Sequence, residues 1–125
     1  MRIANEDLLA DSGAVSLGAD AALRPVWLGH IAQYAIQIVF TGTPSGDFKL
    51  QCSNDPGHID GQTKAVQARN ITNWTDITGS SITVSAAGDI TWNAENVGYL
   101  WVRVVYTRTA GTGSLTSARI NVKGV

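Results

Sequence analysis

The sequence predicts an all-β protein: a single β-sandwich, jelly-roll-like, of seven or eight strands with an N-terminal arm. Three observations carry this reading. Thirteen glycines stand among many Ser and Thr residues and few long-chain helix formers, a composition suited to short strands and frequent turns. Period-two alternation of apolar side chains recurs from residue 31 onward, the pattern of strands with one buried face. A chain of 125 residues is long enough for one sandwich core and is one domain by length.

Residues 1–29 read as the arm and residues 30–125 as the sandwich domain. In the arm, Leu8, Leu9, Val15, Leu17 and Leu23 sit among Ala, Gly, Asp and Ser without a sustained helical or strand period. Residues 14–17 suit a short strand. Such an arm either frays, as termini do, or becomes ordered by lying on a neighbouring subunit. The strand pattern then becomes clear: Tyr34, Ile36, Ile38 and Phe40 alternate with Ala35, Gln37 and Val39. A Gly- and Pro-containing link at residues 41–47 leads to Phe48, Leu50 and Cys52, and the two runs read as a hairpin. Residues 58–70 lack clean periodicity, with room for one or two helical turns near residues 62–69. This excursion is either a solvated loop or a loop that contacts a partner. Short strands follow near residues 71–77, 81–85 and 89–93.

Residues 98–125 read as a closing hairpin. Leu100, Val102, Val104 and Tyr106 share one face, opposed by Tyr99, Trp101, Arg103, Val105 and Thr107. Gly111 and Gly113 supply the conformational freedom of a tight link. The return strand sets Thr116, Ala118, Ile120 and Val122 against Leu115, Ser117, Arg119 and Asn121. The outer face of the first strand is too aromatic for a solvated surface and too polar for a second core. That combination points to contact with another molecule.

Charge and motifs narrow the function. Charged residues make up 15% of the chain and the formal net charge is −1, so no electrostatic footprint for nucleic acid or polybasic membrane patch is expected. No apolar run approaches the ~20 residues that span a bilayer. The acids at Glu6, Asp7 and Asp11 oppose a secretory signal. Cys52 is the one cysteine, so no intrachain disulfide forms; its parity with Phe48 and Leu50 reads as a small buried hydrophobe. His30 and His58 are the two histidines, and no G-x-S-x-G elbow accompanies them, so no catalytic residue is assigned and the chain reads as a non-enzyme. Asp55, His58 and Asp60 near Cys52 lack the spacing of a metal site; neither metal nor other cofactor is expected. The four tryptophans divide by strand parity. Trp92, in phase with Ile90, reads as core, and Trp101, between Tyr99 and Arg103, reads as a contact anchor, because Trp, Tyr and Arg dominate binding hot spots. The expected interface residues are Leu8, Leu9, Trp27, Tyr99, Trp101 and Arg103.

The segments TGTPSGDFKLQCSND, NWTDITGSSITVSAAGD and WNAENVGYLWVRVVYTRTAGTGSL resemble a family of small β-sandwich structural proteins of tailed bacteriophages. The likeness runs from about Tyr34 to Gly124. The last of the three segments is the most specific part. The excursion between Asp55 and Asn73 is longer than in such proteins, and the arm matches weakly. What the resemblance implies is a virion component, for some members a cement or decoration protein clamping the capsid shell. The expected partner is then the major capsid protein and the expected location the capsid surface, after assembly in the bacterial cytoplasm. A homodimer or homotrimer would present several contacts at once. The alternative is a receptor- or glycan-binding module of a tail or head fibre, in which exposed aromatic rings stack on sugars.

Overall fold

The computed structural model describes residues 3–9, 13–29, 31–57 and 61–124. Among them are eleven strands: β1 (Ile3–Asp7), β2 (Val15–Ser16), β3 (Ala21–Ala22), β4 (Val26–Trp27), β5 (Ile31–Gly42), β6 (Ser45–Ser53), β7 (Thr75–Asp76), β8 (Ile82–Val84), β9 (Gly88–Ala94), β10 (Trp101–Ala110) and β11 (Gly113–Gly124). One helical turn, α1 (Lys64–Gln67), runs into a 3-10 turn at Ala68–Asn70, within the stretch where the sequence left room for it. The strands form two sheets. The first has the order β1-β11-β5-β9, with β2 also on β11; the second has the order β3-β10-β6-β7, with β4 also on β10 and β8 on β6. All pairings are antiparallel.

Counted as collinear pieces, β1 with β2, β3 with β4 and β7 with β8 occupy single positions, so each sheet has four. This is the jelly-roll arrangement. Each position of one sheet is joined by a short link to a position of the other: β2 to β3, β5 to β6, β8 to β9 and β10 to β11. All four links gather at one end of the sandwich.

The two hairpins expected from the sequence are therefore arches between the sheets. A short Gly-containing link between two amphipathic strands suits both geometries. The arch is the one that turns the two apolar faces toward each other across a core. At the arch end the links pack closely: Thr43 N donates to Thr112 O at 2.8 Å and Leu17 N donates to Gly113 O at 2.9 Å. Gly111 has φ +74°, and a Cβ there would lie 2.1 Å from Thr43 O. Gly113 is needed for a different reason, since a Cβ on it would lie 2.2 Å from Thr41 O.

The core lies between the sheets. Tyr34, Ile36, Ile38 and Phe40 of β5 face Phe48 and Leu50 of β6 and Val102, Val104 and Tyr106 of β10, all buried. Phe48 joins the rings of Phe40 and Tyr106, with centroids 5.1 and 4.7 Å away. Trp92 is buried, as expected, and donates its indole N–H to Ser80 O at 2.9 Å. Cys52 is half-buried and reduced, slightly more open than its parity suggested. In β11 the register shifts between Leu115 and Ser117. This bulge turns Leu115 inward to 1% exposure and leaves Thr116 outside, reversing the expected phase at the start of that strand.

The N-terminal segment is integral to the sandwich. β1 pairs with β11, from Ile3 opposite Lys123 to Asp7 opposite Arg119. Leu8, Leu9, Leu17, Leu23, Val26 and Leu28 all enter the core cluster. Neither expectation for the arm, fraying or lying on a neighbouring subunit, describes this arrangement. The segment closes its own chain, because each of these leucines removes about 1.5–3 kcal/mol worth of apolar surface from water when buried.

Candidate protein-contact surface

At the end opposite the arches, on the outer face of the second sheet, lie Trp27, Trp101 and Arg103, while Tyr99 stands at the same end packed against the core. Arg103 of β10 sits opposite Gln51 of β6, and both side chains point away from the core. Gln51 Oε1 accepts from Arg103 Nε at 2.9 Å and Nη2 at 2.7 Å. Gln51 Nε2 donates onward to Asp76 Oδ1 at 2.8 Å, and Lys49 Nζ donates to Asp76 Oδ2 at 3.0 Å. The hydrogen bond from Gln51, with that from Lys49, holds the Asp76 carboxyl below the usual carboxylate range. The Arg103 guanidinium lies over the Trp74 ring, 4.2 Å from its centroid, a cation–π contact. Partial burial lowers the pKa of Arg103, a group that stays charged in proteins.

Trp101 begins β10. Its backbone is opposite Trp27 on one side and Ser53 on the other. The two indoles meet edge to face, with centroids 5.1 Å apart. The described parts of the excursion, residues 54–57 and 61–73, fold over the remaining side. A Cβ on Gly57 would stand 3.3 Å from Trp101 Cζ2 and 2.9 Å from Ile71 Cδ1, so the glycine lets the loop backbone approach both. Asp55 pins the loop: it accepts from Thr72 N at 3.0 Å, Asn73 N at 2.9 Å and Asn73 Nδ2 at 3.1 Å. Those donors, the Thr72 amide first, push its pKa down. Asn70 Nδ2 donates to Gly57 O at 2.9 Å. The loop thus builds a satellite core outside the sheet.

This corrects the expectation for Trp101. The ring does lie on the outer face, but it is 1% exposed, because Trp27 and the excursion cover it. Leu8 and Leu9, at 3% and 6%, are likewise interior, and Leu8 N donates to Ala118 O at 2.7 Å on the other sheet. They are not brought together with the tryptophans. Trp27, Tyr99 and Arg103 keep partial exposure. The Tyr99 hydroxyl pairs with that of Tyr34, and burial raises both phenol pKa values. Trp74, which sequence reasoning did not single out as a contact residue, joins Trp27 as a half-buried ring on this side.

The outer face of the first sheet carries a cleft of about 420 Å³ lined by Gln33, Ala35, Asn93, Glu95, Asn121 and Lys123. The small Ala35 between longer side chains makes the depression. Tyr34 also borders it but turns inward at 3% exposure, so the cleft has no aromatic platform for a sugar ring. No group of three or more His, Cys, Asp or Glu capable of holding a metal occurs among the described residues. His30, His58 and Asp60 lie outside them. No helix among the described residues is long and apolar enough to cross a membrane.

No family model and no curated protein sequence matches the chain. Among solved structures it is similar to the SPBc2 prophage-derived protein YomS, with a TM-score of 0.54, 14% identity, and coverage of 98% of this chain and 94% of that one. The likeness shows the fold. It takes in the whole sandwich, N-terminal strands included, and the two chains are nearly the same length over the match.

Proposed function

We propose that the chain is a structural component of a tailed-phage virion, a cement or decoration protein bound to the outer surface of the head. The observation that carries the reading is the end-to-end likeness to a prophage-derived protein, joined to the sequence resemblance over residues 34–124. The geometry supports it physically. The outer face of the second sheet is pre-ordered by the chain Arg103–Gln51–Asp76–Lys49 and by the pinned excursion, so docking there orders few side chains and loses little entropy. In this reading Trp27, Trp74, Tyr99 and Arg103 meet the major capsid protein at the junctions between its subunits. Each contact need be no larger than a standard interface of roughly 800 Å² per partner. A homodimer or homotrimer adds strength through effective concentration.

The test is the copy number of this chain per purified virion, measured by quantitative mass spectrometry against the shell protein. A fixed simple ratio to the shell is expected. A number matching the tail or its fibres would overturn the head assignment in favour of a receptor-binding module, and absence from the virion would overturn both. The fibre reading has less support from the side chains, since Trp92 and Trp101, two of the four candidate stacking rings, are buried at 8% and 1%.

A further inference from the structure

The four outer strand positions of the sandwich are not equivalent. In the second sheet both edges are broken into pieces of two or three residues, β3 and β4 on one side and β7 and β8 on the other. Short edge strands discourage pairing with another chain. At β1, the outer strand of the first sheet, Arg24 reaches across from the neighbouring segment. Its Nη2 donates to Asp7 O at 3.3 Å and lies 3.7 Å from Glu6 Oε2, which covers that edge. β9 has none of these protections. It runs unbroken for seven residues, Gly88–Ala94, pairs with β5 without a register shift, and contains no Lys, Arg or Pro. No described strand lies beyond it. The same flank of the sandwich, reached through the link from β8, exposes Ile82 at 36%, the one large hydrophobic side chain exposed among the described residues.

We propose that β9 pairs antiparallel with β9 of a second copy of this chain, about a two-fold axis through Thr91, so that the two four-position sheets become one continuous sheet. The sequence of the strand is self-complementary in this register. Asp89 falls opposite Asn93 of the copy, an acceptor facing an amide donor, and no like charges are opposed. On the inner face Ile90 falls opposite Trp92, an aromatic–β-branched pair of the kind that stabilises sheets. A two-fold centred on Asp89 would instead oppose two carboxylates and leave most of the strand unpaired. Trp92 is held in place by its bond to Ser80 O, so the inner face is already in position for the pairing.

The edge pairing deepens the reading of the chain as an oligomeric structural component, and the two are separable: it is measured on the isolated protein, whereas head binding is measured on virions. Sedimentation equilibrium of the isolated chain up to about 1 mM is expected to show a monomer–dimer equilibrium, weak because one strand pair is a small interface. Thr91 is exposed and faces outward opposite Gln37, so Thr91→Lys leaves the core alone and sets two cations face to face across the axis. It is expected to raise the dimer dissociation constant by about tenfold or more. In a Cys52→Ala background, Thr91→Cys is expected to cross-link under mild oxidation, since residues on such an axis have Cα atoms roughly 4.5–5.5 Å apart, within disulfide reach. A wild-type chain that stays monomeric throughout the range overturns the proposal. So does a dimer that Thr91→Lys leaves intact and Thr91→Cys fails to cross-link, because that dimer uses another face.

Discussion

Replacing Trp101 by alanine separates two roles that the same side chain would play very differently. If the ring were an anchor for a partner, the variant would fold normally and lose association. The structure predicts the reverse order of effects. The side chain is 1% exposed, and large aromatic truncations in cores cost about 3–5 kcal/mol. Losing the edge-to-face contact with Trp27 adds about 0.5–1.5 kcal/mol. One term runs the other way: Trp101 Nε1 is buried with no hydrogen-bond partner among the described residues, and removing an unsatisfied donor returns about 1–3 kcal/mol. The net expectation is a loss of about 3 kcal/mol, a large share of the ~5–15 kcal/mol by which domains are stable. Urea unfolding followed by far-ultraviolet circular dichroism reads this directly, and avoids using a fluorophore that has been deleted. With a slope of about 1–3 kcal/mol per molar urea, the midpoint should fall by about 1–3 M with the slope unchanged. A loss below about 1 kcal/mol would refute the burial of Trp101 beneath the excursion.

The arch end is open to a similar test. Gly111→Ala combines a positive φ with a Cβ 2.1 Å from a backbone oxygen, so it should cost about 2 kcal/mol or more and lower the melting temperature by about 6–12 °C. Gly98→Ala, where no described neighbour lies within 4 Å of the added Cβ, should be close to neutral, and equal effects at the two sites would refute the packing of the links. A third prediction concerns acid. Asp55 and Asp76 have folded pKa values below the ordinary value, so their stabilisation is present above the unfolded pKa of about 3.9 and is lost as the pH falls through the lower folded values. Asp55→Asn should therefore narrow the difference in unfolding midpoint between pH 7 and pH 3, and an unchanged difference would overturn the account of the loop pin.

The strands were legible in the sequence because period-two alternation is a local signal, and β5, β6, β9 and β10 show it cleanly. The identity of the neighbours was not, since pairing is decided across the fold. The run through Gly111 reads the same whether the two strands lie side by side or face each other. The close approach of Thr43 and Thr41 to Gly111 and Gly113, residues far away in the sequence, marks it as an arch. The bulge that turns Leu115 inward has no local mark either. Leu8, Leu9, Leu17 and Leu23 were visible as apolar residues, and residues 14–17 read as the short strand that β2 is, but irregular spacing hid the other three of four short strands divided between two sheets. For the contact surface, parity correctly put Trp101 on the outer side of its strand. What parity does not contain is the loop that returns over it, held by Asp55 to Thr72 and Asn73. The pair Trp74 and Arg103 belongs to that same long-range closure.

The strand order has a consequence for how the chain is made. β10 and β11 are made after the other nine described strands, yet each occupies an inner position of its sheet. Until they emerge, β1 to β4 have no strand to pair with, and β5 with β9 and β6 with β7 and β8 are fragments open on one side. The nascent chain therefore holds its apolar faces uncovered until β10 and β11 have been made, and folding awaits contacts between segments far apart in the sequence, as in Ile3 opposite Lys123. Such non-local closure is slow relative to helical domains. A chain cut short before β10 would leave β1 to β4 unpaired and both sheets without an inner strand.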